Sequence, residues 1–465
     1  MTIGLIVGVV AIFVGAWALD RWQPFADDDA VAAWPESVEE LAFFVERTTG
    51  LNFERPVHVE FIDDDADYVE RVEEAWGEPS PDEEKWAEED EAYGRALGLW
   101  ATDIDLYGRL QVLEAADTSP AWWLFDDETL VVHADADDHT FDVDVRVAIV
   151  SALTEALLDE HYDIGSRADD ATLPQEWQVV VAMDGGHAQW VTLEYVATLE
   201  QDEVDELNTS VDRSVAGAIA QLPSAYKVLR LAASQGGTTF FEALHEEPLG
   251  IVEEAYTDEW PDALDQISLP DGKFLTRDPL EEVDAPKTPA DGEFLRARQL
   301  GPVALFLMMA ASTDAKDALT ASDGWGNDAT TMYELDGRIC ADAHIVADSP
   351  DDADLLEAGL GAWAYDRPEQ SDVLIARDGV DLFVSMCDPG VDVRQITPNT
   401  DDGDQYIGRM QAIQTLTAMT GEVAVAECAA VQLFAEHSAA EATDIVFFDL
   451  DGALQELLAD CAEST

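Results

Sequence analysis

Residues 143–164 read VDVRVAIVSALTEALLDEHYDI, a run without Gly or Pro. Val147, Val150, Thr154, Leu157 and Leu158 recur at helical spacing, so a helix with an apolar side is expected over Val143 to His161. Downstream, a second long helix is expected from Gln175 or Glu176 to Gln201, carrying the segment VVVAMDGGHAQWV. Upstream, Ser37-Val38-Glu39-Glu40 opens a helix through Arg47 with Leu41, Phe44 and Val45 on one side, and Gly50 stops it. Pro56 to Ile62 alternates around Val57, Val59 and Phe61 as a strand does, and Thr129 to His133 is a second short strand. Between them, Gly77 to Asp90 reads as a Pro- and acid-rich loop.

Beyond the second helix, Ser214 to Thr238 and Thr239 to Tyr256 continue the helical pattern. Pro261 to Pro289 is a polar connection and the expected domain boundary. Phe294 to Ala311 is apolar and helical in character, but Arg296 and Arg298 interrupt it, which marks a core helix and not a second membrane span. From Thr331 the chain turns to strand-like segments (HIVA, DVLIA, VDLFVSM) around a helical stretch near Leu355 to Ala362, then to a helical tail from Tyr406 to Ala462. The expected fold class is α+β, helix-rich. Its blocks are a membrane or signal segment (1–22), an acidic linker (23–36), a main domain (37–260), a connection (261–292), a small α+β subdomain (293–403) and the helical tail (404–465).

At 465 residues the chain exceeds one ordinary hydrophobic core. Lys and Arg number 23 against 100 Asp and Glu, a formal charge of −77, which disfavours nucleic acid and anionic headgroups by Coulomb repulsion. Such a charge repels itself. Because screening shortens to roughly 3 Å at about 1 M salt, the composition suits a halophilic setting. A 47% hydrophobic content and 13 Trp separate the chain from acidic disordered proteins.

Thr2 to Leu19 is uncharged and long enough to cross a bilayer as a helix, with Asp20 and Arg21 ending it. Ala16-Trp17-Ala18 has the small-x-small form of a signal-peptidase site, so secretion after cleavage near Ala18 stands beside the favoured reading, a retained anchor. Either way the acidic bulk is expected outside the cytoplasm. The four cysteines lie in the last third, and an even count in an exported chain reads as two bridges. Three connectivities are open. Cys340 with Cys387 and Cys428 with Cys461 is preferred, since each pair then closes one local unit, and the second staples a helical tail.

A zinc peptidase of the HExxH type needs two His one helical turn apart to face one ion, and a Glu between them to take a proton from bound water. On the first long helix the corresponding stretch is Ser151-Ala152-Leu153-Thr154-Glu155, followed by ALLDEHYDI. This resembles the segment H-E-x-T-H-A-L-x-D-x-H-[FY]-D-[IL] of a zincin-like class of exported metallopeptidase-like proteins, with Thr154, Ala156, Leu157, Asp159, His161, Tyr162 and Asp163 at matching places. The resemblance puts Ser151 and Glu155 at the two zinc-His positions and Ala152 at the general base. The next motif of that class, E-G-D-A, corresponds to Gly185-Gly186-His187-Ala188, so the third-ligand position falls on Gly185, or on Asp184 with a slip of one residue. Gly50 to Val57, Ala96-Leu97-Gly98-Leu99, Gly236-Gly237, Ala255-Tyr256 and the glycine-tryptophan turn Gly324 to Asp328 resemble further landmarks in the same order, covering most of residues 37–400.

The resemblance implies a zincin-like main domain that has lost zinc and catalysis: a membrane-anchored pseudopeptidase binding an unknown protein or peptide, with no cofactor. Two alternatives stay open. One is a metal-dependent hydrolase with a site rebuilt from Glu155, His161, Asp184 and His187, although His161 lies six residues after Glu155, about 600° around a helix. The other is a surface adhesion or structural protein. A serine nucleophile at Ser151 with His187 as base lacks the usual G-x-S-x-G or S-x-x-K pattern. Asp63, Asp65, Asp67 and Glu74 have EF-hand spacing, but Tyr68 stands where the loop needs Gly. Like Asp401 to Asp404, they read as solvated charge.

Overall fold

The computed structural model describes residues 33–464 apart from 77–80, 103, 105–118, 136–139, 171–173, 219–222, 247–250, 258–259, 262–263, 269–279 and 449–451. The segment Thr2 to Leu19 and most of the acidic linker lie outside the described residues, among which no helix is long and apolar enough to cross a membrane. Two compact units divide the chain. The first draws on stretches up to residue 85, on 107–172 and on 183–221; the second on 86–106, 173–182 and 222–465. Both are discontinuous, whereas the sequence alone suggests continuous blocks.

The first unit is built around a three-stranded sheet and one central helix. Helix α1 (Glu36–Thr49) buries Val38, Leu41, Ala42 and Val45 and ends at Gly50, whose φ of 77° is the left-handed conformation that glycine adopts without strain. Strand β1 (His58–Phe61) follows, then α2 (Asp65–Trp76). That helix starts at Asp65 and is N-capped by Asp64, which accepts from the backbone N–H of Ala66 and Asp67, so the Asp63 to Glu74 stretch is a helix and not a cation loop. Strands β2 (Ala121–Leu124) and β3 (Thr129–Val132) complete the sheet in the order β1-β3-β2, with β1 parallel and β2 antiparallel to β3. Tyr68 and Val72 of α2 pack with Trp122, Leu124 and Val131, while Leu130 and Val132 belong to the main core.

That main core is organised by α4 (Val143–Tyr162), reached after α3 (Pro81–Leu97). Every residue of α4 from Val147 to Leu158 is buried. A helix enclosed on all sides is a central element, not a surface one. Its Ile149, Val150, Leu153 and Leu157 meet the buried face of α1, Val191 of α6 (Pro174–Val196) and Leu207 of α7 (Gln201–Ala218), each such side chain contributing about 1.5–3 kcal/mol. Between α4 and α6 lies the short α5 (Ile164–Asp170).

Helix α3 corrects the loop expected over Gly77 to Asp90: residues 81–90 are helical, and 77–80 lie outside the described residues. Pro81 is the reason. At the first helical position its missing N–H costs nothing, and the acids that follow suit a helix N-terminus. The second long helix ends at Val196, short of Gln201, which opens α7.

The second unit carries α8 (Ser224–Glu246), α9 (Ile251–Tyr256), α10 (Leu264–Ser268) and a five-stranded antiparallel sheet in the order β4-β5-β6-β8-β7. Its strands are β4 (Glu293–Arg298), β5 (Trp325–Leu335), β6 (Arg338–Ala347), β7 (Leu374–Asp378) and β8 (Asp381–Cys387). Two expectations change here. The helix expected from Phe294 begins only at Gly301, as α11 (Gly301–Ala310); before it, β4 pairs with β5, and Arg296 and Arg298 reach Glu89 and Asp90 of α3. Gly324 to Asp328 is not a free turn: Trp325 starts β5, with an irregularity in register between Trp325 and Asn327.

Every residue of α11 is buried, so its orphan N-terminal amides need a partner inside the protein. Asp328 supplies it, accepting from Leu300 N at 2.8 Å, Gly301 N at 2.9 Å and Trp325 Nε1 at 3.1 Å. After α12 (Ala315–Asp323), helix α13 (Pro350–Asp366) packs Leu356, Leu360 and Trp363 inward. The tail comprises α14 (Thr400–Thr420), α15 (Val423–Glu436), α16 (Ala439–Phe448) and α17 (Ala453–Ser464). Asp401 to Asp404 form the first turn of α14, where Asp402 accepts from Asn399 N at 2.8 Å. Cys340 is bonded to Cys387, its register partner across β6 and β8, and Cys428 of α15 to Cys461 of α17. Two disulfides accord with an oxidising, extracytoplasmic setting.

Candidate functional site

The polar residues of α4 are inside because the helix is central, not because they are apolar. Thr154 solves this locally, donating from Oγ1 to Val150 O at 2.8 Å. Ser151 and Glu155, one turn apart on the same side of the helix, do not: Ser151 Oγ and Glu155 Oε1 are buried without a hydrogen-bond partner among the described residues, at 2% residue exposure each. Ala152 is fully buried and contributes only a methyl group.

Helix α6 brings Asp184 to this place. Its residue exposure is 9%, and its Oδ1 likewise has no partner among the described residues. Burial first, and then the charge of Asp184, hold the Glu155 carboxyl well above the usual range. Asp184 is itself pushed up to about 8 by burial, with the charge of Asp159 adding to it. Gly185 is half-buried, and a Cβ built on it would meet nothing within 4 Å. Of the two candidate third-ligand positions, Asp184 is therefore the one whose charge reaches Glu155.

His187 is buried with its ring centroid 5.7 Å from that of Trp190. His161 is elsewhere: it sits at the exposed end of α4, with Nε2 3.0 Å from Asn52 O, so the structure does not bring it to Glu155. The acidic residues after Glu155 have visible structural work. Asp159 accepts from Gly165 N at 2.9 Å, Asp163 takes the left-handed conformation that ends α4, and Glu160 accepts from Glu54 N at 3.2 Å. Together they stop α4 and tie its end to the loop after α1.

Zinc does not fit this donor set. Ser151 and Gly185 offer neither imidazole nor carboxylate, Ala152 offers no base, and among the described residues no three His, Cys, Asp or Glu converge to hold a metal ion. The chain matches no family model, no curated protein and no solved structure.

Sequence reasoning missed two further buried polar groups on α6. Gln189 Oε1 and Thr192 Oγ1 have no partner among the described residues. Their signal was present as polar letters inside the apolar run AMDGGHAQWVTL, where a buried helix should carry none without cause.

Proposed function

We propose that the chain is an extracytoplasmic, anchored relative of zinc metallopeptidases that has given up hydrolysis and binds a protein or peptide through the former metal cleft. One observation carries this reading: at the positions aligned with metal ligands, Ser151 and Glu155, one turn apart on α4, and Asp184 on α6 are each buried with an unmet oxygen atom. Groups of this kind are destabilising by several kcal/mol in total and persist where they serve a site. With Ala152 at the general-base position, water activation of the HExxH kind has no proton acceptor there.

The test uses the full chain at high salt, dialysed against metal-free buffer and then offered one equivalent of zinc. The expected result is no retained zinc by atomic emission and no cleavage of an unfolded protein substrate. Near-stoichiometric zinc, lost when Glu155→Gln and Asp184→Asn are combined, would replace this reading with a rebuilt metal site.

A further inference from the structure

We infer that His344 of β6 is a pH-sensitive clamp: it holds the strap of residues 281–289 against the five-stranded sheet while both of its ring nitrogens carry protons, and releases the middle of that strap when one proton leaves. The strap has no regular structure, and it lies on the face of the sheet to which Asn327, Thr331 and His344 all belong by register. Its carbonyls meet donors there. Glu281 O accepts from Asn327 Nδ2 at 2.7 Å and Pro286 O from Thr331 Oγ1 at 2.6 Å; between them, Asp284 O lies 3.2 Å from His344 Nδ1. The amide and the hydroxyl donate whatever the pH. The imidazole differs, because its other nitrogen, Nε2, lies 2.7 Å from Asp381 Oδ1 of β8. A carbonyl and a carboxylate both accept, so both bonds form only when both ring nitrogens donate, and that requires the imidazolium. A neutral ring has one N–H. The shorter bond, to Asp381, keeps it, and the lone pair of Nδ1 then faces the Asp284 carbonyl, acceptor against acceptor.

Each element beside the ring contributes to this balance. On β8, besides Asp381, Phe383 stacks on the imidazole with ring centroids 4.5 Å apart, which keeps both nitrogens aimed along the sheet. On β6, Asp342 shares the face of His344 and accepts from Tyr333 Oη at 3.1 Å. On β7, Asp378 is the register partner of Asp381, and on β5 the register partner of His344 is the uncharged Ala329. The strap itself brings Asp284 and one cation, Lys287. The His344 side chain is 16% exposed, so salt screens its pairing with Asp381 less than it screens a surface pair. The sign follows from the proton count: the strap contact is present at low pH and is lost as pH rises through the titration of His344.

The experiment is limited proteolysis of the full chain in molar KCl with a glutamyl endopeptidase, following cleavage of the Glu282–Val283 bond by mass spectrometry between about pH 5 and about pH 9, on either side of the ordinary imidazole range. Each rate is divided by that of a free peptide of residues 280–292 at the same pH, which removes the protease's own pH dependence. The expected result is a normalised rate at least about tenfold higher at the alkaline end, the loss of one hydrogen bond from a charged donor. His344→Gln should abolish that dependence. Asp381→Asn should move its midpoint to lower pH, since an amide supports the imidazolium less than a carboxylate does. A normalised rate that does not change with pH in the unaltered protein overturns the inference, and that readout needs no variant to fold. A rise that persists in His344→Gln overturns it too, tracing the effect to another group such as Asp184, and an unmoved midpoint in Asp381→Asn removes Asp381 from the clamp and overturns the double-donor geometry.

Discussion

Acids wholly or partly taken out of water are treated in opposite ways in the two units. In the second, Asp323 lies against the guanidinium of Arg409 at 2.7 and 2.8 Å, Asp328 collects two backbone amides and an indole, and Asp388 takes both Nε and Nη2 of Arg95. In the first, Glu155 and Asp184 are enclosed with unmet oxygens. Burial pushes Asp323 and Asp328 up as it does the other pair, but Arg409 and the amides pull them back down. The contrast separates acids that hold the fold together from acids kept at its expense. It also shows why counting buried carboxylates in so acidic a chain says nothing until their partners are named.

The sharpest way to break this comparison is Arg409→Met, which leaves the half-buried Asp323 without its cation. Urea unfolding should show a loss of about 3–5 kcal/mol, while Asp323→Leu with Arg409→Met together should cost far less. Next, Asp328→Ala strips the N-terminus of α11 and should cost about 3 kcal/mol by the same measurement. A loss below about 1 kcal/mol in either case would mean the second unit's acids are not structural.

Asp184→Asn should act in the other direction. With a folded pKa of about 8 and an unfolded one near the ordinary carboxyl value of 3.8, the unfolded chain binds fewer protons than the folded one between those values. Stability therefore falls as pH rises from about 4 to about 8 and levels off above, so the amide, which cannot ionise, should raise stability at pH 8 by roughly 1–2 kcal/mol and flatten that slope. A destabilised variant with the slope intact would place Asp184 among the structural acids. Smallest of all, Arg55→Ala removes an exposed ion pair with Glu128, 3.6 Å apart, and should change stability by under about 0.5 kcal/mol.

Much of the first unit was legible because its signals are local. The 3.6-residue spacing over 143–161, Gly50 as a stop, and the short alternations at 57–61 and 129–133 all correspond to elements. The preferred cysteine pairing, Cys340 with Cys387 and Cys428 with Cys461, is the one the structure carries. What failed depended on partners distant in sequence. Phe294 to Arg298 looks helical until β5 and the acids of α3 are available to it, and residues 81–90 look like a loop until Pro81 is read as a helix start. At the site, the letters Ser151, Thr154 and Glu155 put polar groups on the expected helix, but did not tell that α4 is enclosed on every side. Helical spacing reports one apolar stripe; it cannot report a neighbour on the opposite face.

That enclosure limits what α4 can carry. An HExxH motif at these positions would enlarge Ser151 and Ala152 to the far bulkier His and Glu. Both stand on a helix with no free side, where each added bulk displaces packed neighbours at a cost of typically 1–3 kcal/mol. The helix therefore tolerates small side chains at these two positions and resists large ones, whatever their chemistry.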